Sequence, residues 1–284
     1  MKSNMSILLV EDNLVNQEVA KGFLNQLGLS VDIAGDGVSA IECWKKSAYD
    51  LILMDCLMPI MDGFEASRTI RKNESGQKHT PIIALTANVM ESDKQNCREA
   101  GMDDFVGKPI EQDELIEKLS YWLNQSLESQ QDAVPIDTAP TSTAPISTAP
   151  ISTAPIDVAL PDTNHLSDDL IVDESKFNSM SIQLKTRFQT ILDAYIEESE
   201  ALINELMSAG EQGNIETMVR TVHSLKSSSA ALGAQQLSRL AEMLEGLYKA
   251  GEIENWQADS HHLSLVYQKT KLKMESLNET HLNS

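Results

Sequence analysis

Hydrophobic positions in the first 125 or so residues follow two alternating rhythms. Short apolar runs at Ile7–Val10, Leu51–Met54 and Ile82–Leu85 have the length and flanks of buried parallel strands, and 31–34 and 104–107 are weaker candidates. Between them lie helical patterns. Val15, Val19, Phe23 and Leu27 recur at four-residue spacing, with Gly28 as a helix stop, and Leu115, Leu119 and Trp122 repeat the pattern near the end. Strand–helix units in this order predict an α/β doubly wound parallel sheet of five strands, a fold that forms its sites at the carboxyl ends of the strands.

From residue 173 onward only the helical rhythm remains. One stripe runs through Phe188, Leu192, Tyr195, Leu202 and Leu206, and a second through Met218, Val222 and Leu225. A third takes Leu237, Leu240, Leu244 and Leu247, and a fourth Trp256, Leu263, Val266, Met274 and Leu277. Breaks at 210–214, Gly233 and Gly251 leave short connections, which favour antiparallel neighbours and an all-α four-helix bundle. Residues 173–180 add a short preceding helix.

The two patterned regions are separated by a segment with no pattern. Thr-Ala-Pro recurs every five residues around Pro140, Pro145, Pro150 and Pro155, and six of the nine prolines lie between Pro135 and Pro161. Residues 129–172 contain no Lys or Arg and few large apolar side chains. Such a stretch buries too little surface to offset the entropy of ordering, so it reads as an extended, disordered tether. The expected organisation is therefore a domain over 1–128, a linker over 129–172 and a second domain over 173–284.

Composition narrows the function mainly by exclusion. Against 22 basic residues stand 43 acidic ones, a formal charge of −21, which leaves no basic stripe to neutralise nucleic-acid phosphates. Cys43, Cys56 and Cys97 are scattered and form neither a disulfide framework nor a zinc motif. The opening Met1–Asn13 does not read as a signal peptide, and no apolar run approaches the ~20 residues needed to span a bilayer. A cytoplasmic protein without membrane insertion is expected.

Polar residues at the predicted strand ends carry the first candidate chemistry. Glu11 and Asp12 follow the first strand, Asp55 the third, Thr86 ends the fourth, and Lys108 follows the fifth, directly before Pro109. The fold converges all five on one sheet edge. Three carboxylates in one pocket repel unless a cation compensates them, and hard oxygen ligands suit Mg²⁺. An ionised Asp beside such an ion can attack a phosphoryl group, while Lys108 offsets the charge transferred and the Thr86 hydroxyl bonds one of its oxygens.

In this arrangement, and in the run Asp55-Cys-Leu-Met-Pro-Ile-Met-Asp-Gly63, residues 1 to about 127 resemble a response-regulator receiver domain, a flavodoxin-like fold. The resemblance implies that Asp55 is the phosphoacceptor and that Glu11, Asp12, Asp55 and the Leu57 carbonyl bind Mg²⁺. It also implies that Lys108–Pro109 is a cis peptide and that Thr86 and Phe105 move together on phosphorylation. Leu57 and Asn88 occupy positions where the family varies in phosphoryl lifetime. An apolar Leu57 is expected to hinder attacking water.

A second constellation surrounds His223, in His-Ser-Leu-Lys-Ser-Ser-Ser-Ala-Ala-Leu-Gly-Ala234. On a helix, Glu216, Arg220, His223 and Ser227 share a polar stripe, so the imidazole is expected to face water, with Lys226 placed to compensate phosphoryl charge. Residues 227–231 are small and leave a flat apron for another domain. The run resembles the histidine phosphotransfer (HPt) motif, which implies that His223 accepts and donates a phosphoryl group. Ser227 stands where that family commonly has Gly.

Together the two halves predict an intermediate of a two-component phosphorelay. Asp55 would take its phosphoryl group from a sensor histidine kinase upstream, and His223 would exchange with a receiver aspartate, its own or that of a downstream response regulator. The chain shows no glycine-rich ATP loop, so the original phosphoryl donor is expected to be another protein, and the resemblance implies a phosphotransfer protein whose receiver catalyses its own phosphorylation and dephosphorylation. A phosphate sink and a phosphorylation-controlled binding module for a kinase are the alternatives. The tether lets the two domains meet and also leaves each free to face other partners.

Overall fold

The computed structural model describes residues 5–74, 79–87, 91–128 and 171–282. Its first part is a five-stranded, all-parallel sheet in the order β2-β1-β3-β4-β5. The strands are β1 (Ser6–Val10), β2 (Ser30–Ala34), β3 (Leu51–Asp55), β4 (Ile82–Thr86) and β5 (Asp104–Gly107). They alternate with helices α1 (Leu14–Gln26), α2 (Gly37–Lys46), α3 (Gly63–Asn73), α4 (Glu91–Glu99) and α5 (Gln112–Glu128). The central strands β1 and β3 are buried on both faces, which is why their sequences are unbroken apolar runs. Each predicted strand is present, and the ladder carries β3 one residue further, to Asp55.

Local chemistry sets the helix ends. Asn13 caps α1 by accepting from the Asn16 N–H, and Gly28 ends it at φ +73, a conformation a side chain would resist. On α2, Asp36 and Ser39 form a reciprocal capping box.

The second part is helical throughout. α6 (Glu174–Leu184) leads through a single 3₁₀ turn at 185–187 into α7 (Phe188–Glu211), α8 (Ile215–Ala231), α9 (Gln235–Lys249) and α10 (Trp256–Leu282). Helix α8 packs on α7 and α9, and α10 closes the bundle against both. The helix preceding the bundle is anchored to it: the Asp173 N–H donates to the Gly233 carbonyl, and Phe177 meets Phe188 edge-on at 5.0 Å.

Residues 129–170 of the expected linker lie outside the described residues, as does Asn88. The linker boundary needs one correction: Ile171 and Val172 are buried, because apolar side chains this close to α6 join the core rather than the tether. No helix among the described residues is long and apolar enough to cross a membrane.

The two halves share one apolar cluster. Val15, Val19 and Phe23 on the outer face of α1 pack with Phe177, Leu184, Ile191 and Tyr195 of the helical part. Helix α1 contacts α6, α7 and α8.

Candidate functional site

The carboxyl edge of the sheet gathers the acidic residues as the strand order requires. Glu11, Asp12 and Asp55 come from the ends of adjacent strands β1 and β3, and their carboxylate oxygens lie within 4.8 Å of one another. Lys108, just past β5, places Nζ 2.7 Å from Asp55 Oδ2 and 2.7 Å from Glu11 Oε2. The Lys108–Pro109 bond is cis. The loop after β3 folds close above the site: the Leu57 N–H donates to Asp55 Oδ1 at 3.3 Å, and the Gly63 N–H donates to the Cys56 carbonyl at 3.1 Å. A Cβ on Gly63 would come within 2.0 Å of the Asp55 carbonyl oxygen, so only glycine permits this path.

One ammonium among three carboxylates leaves the cluster short of positive charge. Burial, then the charge of Glu11, pushes the Asp12 carboxyl up to about 6. The same two causes raise Asp55, against the pull of Lys108. Burial alone would lower Lys108, but Asp55 and Glu11 hold it above its ordinary range and keep it charged. This crowd of hard oxygen donors fits a divalent cation such as Mg²⁺, which Glu11, Asp12 and Asp55 would hold.

His223 does not face water. It is 6% exposed, and Ser227 on the same stripe is also buried. The helical periodicity placed both on the outward face of the bundle, but that face is covered by the first domain. The Asn16 side-chain NH₂ donates to Ser227 Oγ at 3.0 Å and to Glu11 Oε1 at 3.1 Å, linking the apron of the bundle directly to the acidic cluster.

His223 Nδ1 lies 2.8 Å from Glu245 Oε1 on α9. Lys226 Nζ donates to Glu245 Oε2, and Lys249 Nζ donates to Oε1 at 2.7 Å. Burial would raise the Glu245 carboxyl, but His223, Lys226 and Lys249 overrule it and hold it well below the usual carboxylate range. For His223, burial lowers the pKa below 6.5 despite the opposing pull of Glu245, with Lys108 and Lys226 adding to the lowering. Burial therefore favours the neutral imidazole, which donates Nδ1–H to the Glu245 carboxylate and leaves Nε2 as the nucleophile.

The two constellations open onto a single cavity of about 420 Å³. Asp55, Leu57 and Thr86 line it from the first domain, and His223, Lys226 and Glu245 from the second. Leu57 is 41% exposed at this cavity. Phe105 sits apart on β5, paired with Ala84 in register, with Lys94 Nζ 4.7 Å from its ring centre.

Sequence reasoning singled out Glu11, Asp12, Asp55, Leu57, Thr86, Lys108, His223 and Lys226, and the structure brings all eight around one junction. It missed Asn16 and Glu245. Neither belongs to a motif: Glu245 follows Leu244 of an apolar stripe, and only the packing of α8 on α9 turns it toward His223. Lys226, expected to serve the phosphoryl group, spends one of its hydrogen bonds on Glu245 while still lining the cavity.

A doubly wound sheet with an acidic cluster and lysine at its strand ends thus faces a histidine on a helical bundle. The response regulator receiver domain family matches residues 7–120, and the Hpt domain family matches residues 190–273. The chain carries a receiver domain and an Hpt domain. Hybrid signal transduction histidine kinase B of Dictyostelium discoideum is 49% identical over 129 residues, which cover 42% of this chain and 7% of that protein. The chain thus spans a small fraction of this curated relative. Among solved structures, the receiver domain of a sensor histidine kinase from Pseudomonas aeruginosa, with magnesium in its active site cleft, is 45% identical. The match covers 43% of this chain and 98% of that one, with a TM-score of 0.40. A co-crystal from Saccharomyces cerevisiae joins a histidine phosphotransfer protein to the receiver domain of its downstream response regulator. Its match is 31% identical and covers 43% of this chain and 90% of that one, with a TM-score of 0.42.

Proposed function

We propose that this chain is a phosphorelay intermediate in which Asp55 and His223 exchange a phosphoryl group within one molecule. The observation that carries the reading is the common cavity that both residues line. Asp55 first takes the group from a phosphohistidine, the chemistry of a sensor histidine kinase upstream. Neutral His223 then attacks the phosphorus through Nε2. A P–N bond forms, the P–O bond to Asp55 breaks, and the carboxylate leaves with the electron pair.

The residues around the pair suit each charge that appears. Lys108, already 2.7 Å from Asp55 Oδ2, receives the returning carboxylate. The positive charge that develops on the imidazole is met by Glu245 through Nδ1–H. Thr86 and Lys226, both at the cavity wall, are placed for the phosphoryl oxygens. Glu11, Asp12, Asp55 and the Leu57 carbonyl would hold Mg²⁺, which supplies the positive charge that this acidic cluster lacks. Phosphoryl transfer passes through a loose transition state, so positioning and charge compensation do most of the work. Delivery to a downstream receiver requires the bundle to leave its own, because His223 is covered in the docked arrangement.

The test uses the full chain. Asp55 is loaded with labelled acetyl phosphate in Mg²⁺, and the label is followed by its stability in acid and alkali. Label should move to an acid-labile, alkali-stable site at a rate independent of protein concentration. Asp55→Asn should abolish both adducts, and His223→Gln should trap the label on Asp55. A second adduct that persists in His223→Gln, or label that only ever leaves as free phosphate, would overturn the assignment and favour a phosphate sink.

A further inference from the structure

The segment 173–187 lies between the two family matches, yet it touches the first domain at α1 and at the start of α5. At its end Leu184 fills the space above Gly22 of α1, where a Cβ would come within 2.5 Å of Leu184 Cδ2. Beside it the Gln26 side-chain NH₂ donates to the Gln183 carbonyl at 2.8 Å. About two turns earlier, Lys176 Nζ pairs with Glu111 Oε1 at 2.8 Å, just before α5. The same helix is bound to the bundle through Asp173, which caps α6 and also accepts from the Gln235 side chain at 2.9 Å. It is therefore a rigid part of the second domain that reaches over the first.

We infer that α6 and the turn after it form a docking clamp, whose occupant is the chain's own receiver domain and which selects that receiver for exchange with His223. The inference rests on the intrachain reading above and deepens it. A clamp of this kind acts through shape and hydrogen bonding remote from the reacting atoms. A side chain at the facing position of α1 has to displace the Leu184 methyl, so a receiver with a long side chain there docks at a disadvantage. Nearer the reacting atoms, Ser227 adds a second requirement, a donor such as Asn16, which the glycine common at its position would not impose. Exposed pairs such as Lys176–Glu111 add register more than strength. Because the clamp is tethered to its partner, the receiver is held at high effective concentration, and foreign receivers compete at a disadvantage.

The experiment uses the full chain with Gly22→Gln, a substitution that favours a helix. It should slow label transfer from Asp55 to His223 at least tenfold while Asp55 loads from acetyl phosphate within twofold of the native rate. Adding Leu184→Ala opens room for the new side chain and should restore transfer to within threefold. An independent readout is the reaction of His223 with diethyl pyrocarbonate, slow in the native chain and faster in Gly22→Gln. Lys176→Glu should give a twofold to fivefold slowing that Glu111→Lys reverses, and this surface pair tests the clamp even if Gly22→Gln folds poorly. Native transfer rates and native protection of His223 in all these variants would overturn the clamp. Should the native chain show no transfer at all, the relay reading fails, while the protection measurements still decide the clamp.

Discussion

Glu245→Gln removes a charge that three partners use while keeping the shape of the side chain. Glu245 is 4% exposed and accepts from His223 Nδ1–H, Lys226 and Lys249. Glutamine can still accept through Oε1, so the imidazole keeps a partner, but the partner is neutral when the ring becomes positive during transfer. A charge-assisted hydrogen bond contributes about 1.5–3 kcal/mol against about 1 for a neutral one, a difference of roughly 0.5–2 kcal/mol. At ~1.4 kcal/mol per decade, that slows Asp55-to-His223 transfer about 2- to 30-fold. Lys226 and Lys249 lose their shared counter-ion as well, and the cost there is smaller because Lys249 is half-exposed. Single-turnover transfer of label, measured in rapid quench, reads the effect. Loading of Asp55 should be unchanged, since Glu245 touches no residue of the acidic cluster. A variant that transfers at the native rate, with circular dichroism unchanged, would refute the charge argument. So would an equal loss in Asp55 loading.

Further outcomes follow from the same geometry. The transfer rate should stay level from pH 8 to about 6.5 and decline only below that, because burial lowers the His223 pKa beneath 6.5 and the neutral ring is the nucleophile. Stability should fall in the same direction: a depressed folded pKa means the unfolded chain binds the proton first, so stability present above pH 6.5 is lost as pH drops, which a series of melts checks. Leu57→Asn should shorten the lifetime of the Asp55 phosphoryl group in a His223→Gln background, measured by release of inorganic phosphate, since a polar side chain at the cavity can hold attacking water. Mg²⁺ should raise the melting temperature by several degrees at about 100 times its Kd, a gain of ~2.7 kcal/mol, and Asp12→Asn should reduce that shift. Gly63→Ala should abolish loading of Asp55 by phosphodonors, because the added methyl overlaps the Asp55 carbonyl.

Much of this protein is legible without coordinates because its signals are local. The runs at 51–54 and 82–85 are apolar on both faces, and no other element of that length satisfies such a run in an α/β sheet. Once five strands are parallel, topology alone sends Glu11, Asp12, Asp55, Thr86 and Lys108 to the same edge. His223 stands out through the dozen residues around it.

What the sequence could not supply depends on faces meeting across long separations. The periodicity of α8 places His223 on the outward side of the bundle, and nothing in that periodicity says that another domain covers it. Its bond to Glu245 arises from the packing of α8 on α9, and its burial and shared cavity with Asp55 arise from the docking of α1 against α6, α7 and α8. Asn16 and Ser227 lie 211 residues apart and form one hydrogen bond. A polar residue on a helix reads the same whether its partner is water or a distant side chain, because its own backbone determines only the direction in which it points. The partner is decided by which surfaces exclude water from each other, and that is a property of the folded whole.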